Sequence, residues 1–402
     1  MKKKKIIIAI AAAVILLVLF LPLPATYKDG GTKSYTALTY RIVVWNRIMG
    51  ENENYRATSF YLFPQNRKSI DELWEMEKEK MEPSTDVNPE SEKNIVVGFS
   101  QLGAESDWRS ANTKSMKEIF EITPGYSLVF KDGQQKQSNQ IRAIREFIQQ
   151  EVDYIVLAPV TEDGWDTVLQ EAKDEGIPVI IVDRMVDVKD DSLFCCWVGS
   201  DFALEGRKMT AWIHEFLNKK GIPDENVNIV GIQGNIGASA QIGRTKGLED
   251  AAKEYGWNLL AEVPAEFTQA KGREVMEQFL KDYPELNIVY CENDNEALGA
   301  IEAIEEAGKT AGSDIMSGEI MVVSFDGVGE AARNMAKEGK ITCIAECNPL
   351  HGPRILNIIN TLEIGGNPEK LEYVPESIYS ADTTVNSIVV DGKVYPVSLL
   401  KE

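Results

Sequence analysis

From Asn94 onward, short runs that are apolar at every position alternate with longer stretches in which apolar residues recur every three or four positions. "NIVVGF", "YSLVFKD", "VDYIVLAP" and "IPVIIVDR" are runs of the first kind, separated by a helical pattern around 109–121, then "QSNQIRAIREFIQQ" and "GWDTVLQEAKDEG". A second series follows: "NVNIVGIQG", "NLLAEVPAEF", "NIVYCEND", "IMVVSFDG" and "ITCIAECNP". Its helical partners include "GRTKGLEDAAKEY", "GREVMEQFLKDY" and "EALGAIEAIEEAG". Strand-length runs without polar alternation predict strands buried on both faces, as in a parallel sheet between two layers of helix. Right-handed crossovers make that a doubly wound α/β fold. Two series predict two such lobes with a cleft between them.

Ahead of this body the pattern changes. "SYTALTYRIVVWN" and "YRATSFYLF" carry the Tyr, Thr, Val and Phe of strands, and "SIDELWEMEKEKM" reads as a helix capped by Ser69 with acids in its first turn. A small β-rich module over 27–81 is therefore expected, then a linker at 82–93, where "EPSTDVNPESEK" has proline and no periodicity. At the start, Lys2 to Lys5 precede an apolar run from Ile6 to Leu21. That is the layout of an export signal, and residues 1–26 are expected to act as a cleaved signal or, the favoured reading, to remain as a membrane anchor, either way with the remainder outside the cytoplasm.

Composition narrows the function. A net charge of −21 over 402 residues opposes a nucleic-acid surface, which needs cations to neutralise phosphate, and suits a soluble monomer. Five cysteines without a Cys-x-x-Cys pair and only two histidines predict free, partly buried thiols and no metal site. No cofactor is implied: "QGNIGAS" lacks both the phosphate-loop lysine and the dinucleotide spacing.

Ligands of open α/β sheets sit at the carboxyl ends of strands. Those positions hold Phe99, Asp132, Asp183 and Arg184, Gln233, Phe267, Asn293 and Asp294, Asp326 and Glu346, with Trp108, Arg109 and Arg244 at helix starts just beyond. Carboxylates, amides and guanidinium groups interleaved with Trp and Phe suit a sugar, whose hydroxyls take planar polar partners while its C–H face lies on a ring. Each residue also has a plainer reading. Trp108 could cap the sheet, Asp132 before Gly133 could be turn chemistry, and Asp183–Arg184 a surface pair. Asn293 could serve as a helix cap and Phe267 as core. Arg244 near a helix start opposes the helix dipole, which favours a ligand role.

In order, "SDWRSANT", "DGQQKQSNQIRA", "GWDTVLQEAK", "IPVIIVDR", "QGNIGASAQIGRTKG", "ENDNEALGAIEAI" and "SFDG" resemble the periplasmic sugar-binding proteins of ABC importers, the type I ribose/galactose group. "GFSQLGAESDWR" with "DGQQKQSNQ" is most similar to the galactofuranose-binding branch. The resemblance spans 94–402. It implies two lobes joined by a three-strand hinge, with 94–199 and 348–379 in the first and 200–347 and 380–402 in the second, and crossings near Gly199–Phe202, Asn348 and Tyr379–Asp382. It also implies sugar contacts at Glu105, Trp108, Arg109, Asp183, Arg184, Arg244, Asn293, Asp326 and Glu346, with Phe267 as an aromatic wall and Asp132 as a further candidate. Two departures stand out. Gly243 stands where the group carries Asp, which would loosen the support of Arg244, and Glu346 replaces a Gln of ribose binders.

The implied mechanism is capture of a monosaccharide by hinge closure and delivery to an ABC permease. The alternative partner is a membrane histidine kinase that reads the same closed form. An enzyme is not expected, since two histidines build no nucleophile–base arrangement; a glycosidase would have to pair Glu105 with Asp326. A sugar-responsive repressor shares this two-lobed body but needs a DNA-binding N-terminus and a cytosolic location.

Overall fold

The computed structural model describes residues 22–29, 31–48, 54–62, 64–81 and 94–400, which fall in two compact units, Met1–Ser91 and Glu92–Glu402. The apolar run Ile6 to Leu21 and the linker 82–93 lie outside the described residues. Among those described, no helix is long and apolar enough to cross a membrane.

In the first unit an antiparallel sheet runs in chain order through β1 (Leu23–Thr26), β2 (Lys33–Thr36), β3 (Tyr40–Ile48) and β4 (Asn54–Leu62). Helix α1 (Ile70–Met81) follows. Val43, Trp45 and Tyr61 on one sheet face bury Leu73 and Trp74 of the helix. Ser69 and Glu72 cap α1 reciprocally, the Glu72 amide donating to Ser69 Oγ at 3.2 Å and the Ser69 amide to the Glu72 carboxylate at 2.7 Å. The sheet begins inside the segment expected as anchor: Leu23–Thr26 pairs with Lys33–Thr36, which corrects the boundary at residue 26.

In the second unit the chain lays down β5 (Ile95–Gln101), α2 (Asp107–Ile122), β6 (Tyr126–Asp132), α3 (Gln137–Gln149), β7 (Tyr154–Leu157), α4 (Asp166–Asp174), β8 (Val179–Val182) and β9 (Cys196–Gly199). After α5 (Phe202–Lys220) comes the second series: β10 (Asn228–Gln233), α6 (Ser239–Tyr255), β11 (Asn258–Pro264), α7 (Gln269–Asp282), β12 (Ile288–Cys291), α8 (Asp294–Glu306), β13 (Met321–Asp326), α9 (Glu330–Lys337) and β14 (Ile341–Glu346). Helix α10 (Gly352–Glu363) leads to β15 (Leu371–Tyr373), β16 (Ile378–Ser380), β17 (Ser387–Val390) and β18 (Lys393–Leu399).

One sheet has the order β15-β9-β8-β7-β5-β6, the other β11-β10-β12-β13-β14-β16-β18-β17. The pairs from β5 to β9 and from β10 to β14 are all parallel, and antiparallel pairing enters only where β16 joins β14 and β17 joins β18. Strands β7, β8, β9 and β12 are buried at every position because helices cover both faces, which is why their sequences do not alternate. The chain changes sheet after β9, after β14 and after β15. The third change falls between Tyr373 and Ile378, ahead of the expected Tyr379–Asp382, so Ile378 and Tyr379 belong to the second sheet.

Candidate functional site

A small cavity of about 30 Å³ lies where the carboxyl ends of the two sheets face each other. Of the sequence-predicted residues, Glu105, Trp108, Arg109, Asp183, Arg184, Arg244, Phe267, Asn293 and Asp326 line it. Ser106, Phe202, Ala240 and Cys347 complete the wall.

The first lobe supplies a guanidinium pair. Ser106 caps α2 by accepting the Arg109 amide at 3.2 Å, which fixes the first turn and the two side chains it carries. Arg109 Nη2 donates to Asp183 at 2.7 Å and Nε to Glu105 at 3.2 Å. Burial alone would lower its pKa, but those two carboxylates outweigh it and the net shift is upward. Arg184 is held less well. Nη1 donates to the Val160 carbonyl at 2.7 Å, and Nη2 lies 3.8 Å from Glu105. Burial, with the charge of Arg109 behind it, pushes its pKa down to about 10.

The second lobe supplies Arg244 from the second turn of α6. Its Nε donates to Glu205 at 2.8 Å and its Nη2 to Asp326 at 3.3 Å, while Nη1 donates to the Glu292 carbonyl. The loosening expected from Gly243 is therefore absent. Gly243 serves packing instead: a Cβ there would sit 2.7 Å from backbone atoms of Phe202 and Ala203, where α5 and α6 cross closely. Asn293 both caps α8, accepting the Glu296 amide at 2.8 Å, and donates to the Phe267 carbonyl at 3.0 Å. The helix-cap reading of Asn293 holds, and the residue also lines the cavity.

Trp108, Phe202 and Phe267 form an apolar cluster with Ala238, Ala240 and Cys347. The Trp108 indole donates to the Cys347 carbonyl at 2.7 Å, tying α2 to a segment that connects the sheets. The lobes also touch directly: the Asp107 amide donates to Asn295 at 3.0 Å and the Met185 amide to Ser239 at 2.9 Å. The cleft is closed. Asp183, Phe267 and Asp326 all have left-handed backbone, with φ of 67°, 61° and 96°. Non-glycine residues pay for that conformation, and it concentrates at functional sites.

Two candidates lie elsewhere. Asp132 is exposed and accepts the Gln134 amide at 2.8 Å, which is turn chemistry. Glu346 lies outside the cavity, where the chain after β15 offers it two donors: the Ser377 amide at 2.8 Å and the Tyr379 hydroxyl at 3.2 Å. Sequence reading missed Phe202, Cys347 and Glu205. Phe202 opens α5 just past the first connection, outside the strand-end rule, and Cys347 directly follows β14 but was read only as a buried thiol. Glu205 lies inside a helix, and the one legible signal nearby was the small-residue spacing of Gly243 and Gly247, which lets α5 approach α6 at Gly206.

Three guanidinium groups thus meet three carboxyl groups between aromatic walls, with Glu205 behind Arg244 as a fourth. Such a cavity suits a neutral, polyhydroxylated molecule with an apolar face. Fold and site together define a two-lobed solute-binding protein.

The chain belongs to the family described as the periplasmic binding protein domain, which matches residues 97–350. Its members are solute-binding proteins rather than enzymes, and membership places the chain outside the cytoplasm. It is 40% identical over 294 residues to the galactofuranose-binding protein YtfQ of Escherichia coli (strain K12), covering 72% of this chain and 89% of that one. A solved structure from Mycobacterium smegmatis in complex with β-D-fucofuranose is 39% identical, with a TM-score of 0.66 over 71% of this chain and 91% of that one. The binding component of the arabinose ABC transporter from Shewanella sp. ANA-3, bound to α- and β-L-arabinofuranose, is also 39% identical, with a TM-score of 0.66 over 72% and 93%.

Proposed function

We propose that the cavity binds a monosaccharide in its furanose form, galactofuranose or a close analogue, and that the closed protein delivers it to an ABC permease in the membrane. The observation that carries this reading is the interleaved set of Arg109, Arg184 and Arg244 with Glu105, Asp183 and Asp326, walled by Trp108 and Phe267. The furanose ligands of the 39–40% identical proteins support the ring form, and the arabinose transporter component supports delivery to an importer rather than to a kinase. Glu105, Trp108, Arg109, Asp183, Arg184, Arg244, Phe267, Asn293 and Asp326 are the proposed sugar contacts.

Closure follows from geometry: only a ligand between the lobes can satisfy donors from both, so it stabilises the closed state by that difference. The lobes in this reading are 94–199 with 348–373 and 200–347 with 378–402, joined at three connections, and the protein acts as a monomer. Residues before Leu23 hold it at the membrane, and the unit ending at Ser91 acts as a spacer. Calorimetric titration of the full-length chain with galactofuranose, galactopyranose, ribose, arabinose and inositol is the test. Selective heat with the furanose is expected. Binding of a pyranose in preference would overturn the ring-form assignment, and silence with all five would overturn the sugar reading.

A further inference from the structure

The three connections between the lobes meet at one carboxyl group. Glu376, on the third, accepts from the Ser200 hydroxyl at 2.6 Å on the first and from the Asn348 amide at 2.7 Å on the second, both through Oε1. The Glu376 carboxyl, the Glu205 carboxyl and the Cys347 thiol each place an atom within 4.8 Å of the others. Glu205 Oε2 accepts from Arg244 at 2.8 Å, whereas among the described residues no N–H or O–H donor reaches its buried Oε1. Two carboxylates cannot hydrogen-bond to each other; a carboxylic acid and a carboxylate can.

We infer that Glu376 is a protonated positioning residue whose O–H donates to Glu205 Oε1, holding Glu205 on Arg244 and so coupling the hinge to the sugar cavity.

Arg244 keeps Glu205 as the charged partner, so the proton resides on Glu376. Burial, then the Glu205 charge, pushes the Glu376 pKa up to about 9, in the same direction as the geometry. The other charged and titratable groups around it do not undo this. Lys208 gives its ammonium to the Glu376 backbone carbonyl at 2.9 Å rather than to the carboxyl. The Cys347 thiol is pushed up by burial and stays neutral, and Asp201 caps α5 by accepting the Leu204 amide at 2.8 Å. Asp326 is bound to Arg244 from the far side. Loss of the proton would set two carboxylates against each other in a water-poor site, and Glu205 would be driven off Arg244. The inference rests on the sugar reading only for its effect on affinity; the proton itself does not depend on it.

The test has two arms. Infrared difference spectra of the full-length, ligand-free chain at pH 7, wild type against Glu376→Gln, should show a carboxylic-acid carbonyl band in the wild type that shifts in D₂O and is missing from the variant. No such band overturns the inference. Calorimetric titration with galactofuranose from pH 6 to pH 10 forms the second arm. Wild-type affinity should fall as pH rises through about 9, approaching tenfold per pH unit for one linked proton. Glu376→Gln, whose amide can donate to Glu205 and accept from Ser200 and Asn348, should bind about as tightly at pH 9.5 as at pH 6. A wild-type profile as flat as that of Glu376→Gln overturns the coupling. If galactofuranose gives no heat at any pH, the sugar reading fails while the infrared arm still decides the proton.

Discussion

Arg184 is the cavity's under-partnered cation, and replacing it with Met separates a ligand role from a structural one. The side chain is 2% exposed and carries five N–H donors, yet among the described residues its hydrogen bond goes to the Val160 carbonyl. The depression of its pKa to about 10 by burial and by Arg109 corresponds to about 3 kcal/mol of penalty on the charged form. Met follows the aliphatic stem only as far as Nε, but it removes that penalty. Against it stand the Val160 carbonyl left without its donor, about 1–3 kcal/mol, and a volume mismatch of under about 1.5 kcal/mol. The balance is near zero. Arg184→Met should therefore unfold in urea within about 1 kcal/mol of wild type. Arg244→Met, which strands Glu205 and Asp326, should lose about 3–5 kcal/mol. Sugar affinity should move the other way. Two charge-assisted hydrogen bonds to ligand hydroxyls, at about 1.5–3 kcal/mol each, put the loss in Arg184→Met at about 100-fold or more. Urea unfolding of the ligand-free chain and calorimetric titration with galactofuranose measure the two numbers. A stability loss above about 3 kcal/mol, or an affinity held within threefold, refutes the reasoning.

The aromatic wall can be moved without touching it: a Cβ on Gly234 would lie 1.9 Å from the Phe267 ring, so Gly234→Ala must displace that ring and should weaken sugar binding at least tenfold in the same titration. Asp132→Asn and Glu346→Gln change groups outside the cavity, and their sugar affinities should stay within twofold of wild type. His351 is buried, with its Nδ1 accepting from Asn112 at 3.2 Å, and burial pushes its pKa down to about 4. The unfolded chain takes up that proton near pH 6.5 and the folded chain only near pH 4. Stability should thus drain away as pH falls across that window, by up to about 3 kcal/mol, and the acid-side slope in urea unfolding should be shallower in His351→Gln.

Much of the fold was legible because parallel strands sheathed in helix cannot hide: Ile180, Ile181 and Val182 are buried on either face, and no alternating pattern could satisfy that. The cavity was legible to the extent that it follows the strand-end rule. That rule cannot separate neighbours on one sheet. Asp326 and Glu346 are register partners at the ends of β13 and β14, and both are acids. What distinguishes them is the backbone after β15, which presents the Ser377 amide to Glu346, and a contact 31 residues away in the chain leaves no local trace. Asp183 and Asp132 likewise both close a strand. Asp183 takes a left-handed backbone and meets Arg109, while Asp132 takes the amide two residues on. Glu205 was invisible for a third reason: a buried acid within a helix breaks the amphipathic pattern only if its partner, on another helix, is already known.

These differences bear on how the site binds. Arg109 and Arg244 are each fixed by two carboxyl groups before any ligand enters, so the side-chain entropy of ordering them is spent on folding rather than on binding. The left-handed backbone at Asp183, Phe267 and Asp326 belongs to the same economy, since about 1–3 kcal/mol of strain at each aims a polar or aromatic group at a fixed point in the cleft. Among the described residues Arg184 makes one hydrogen bond, so under the proposed function ligand affinity should concentrate there, while the paired arginines set the shape that a ligand must match.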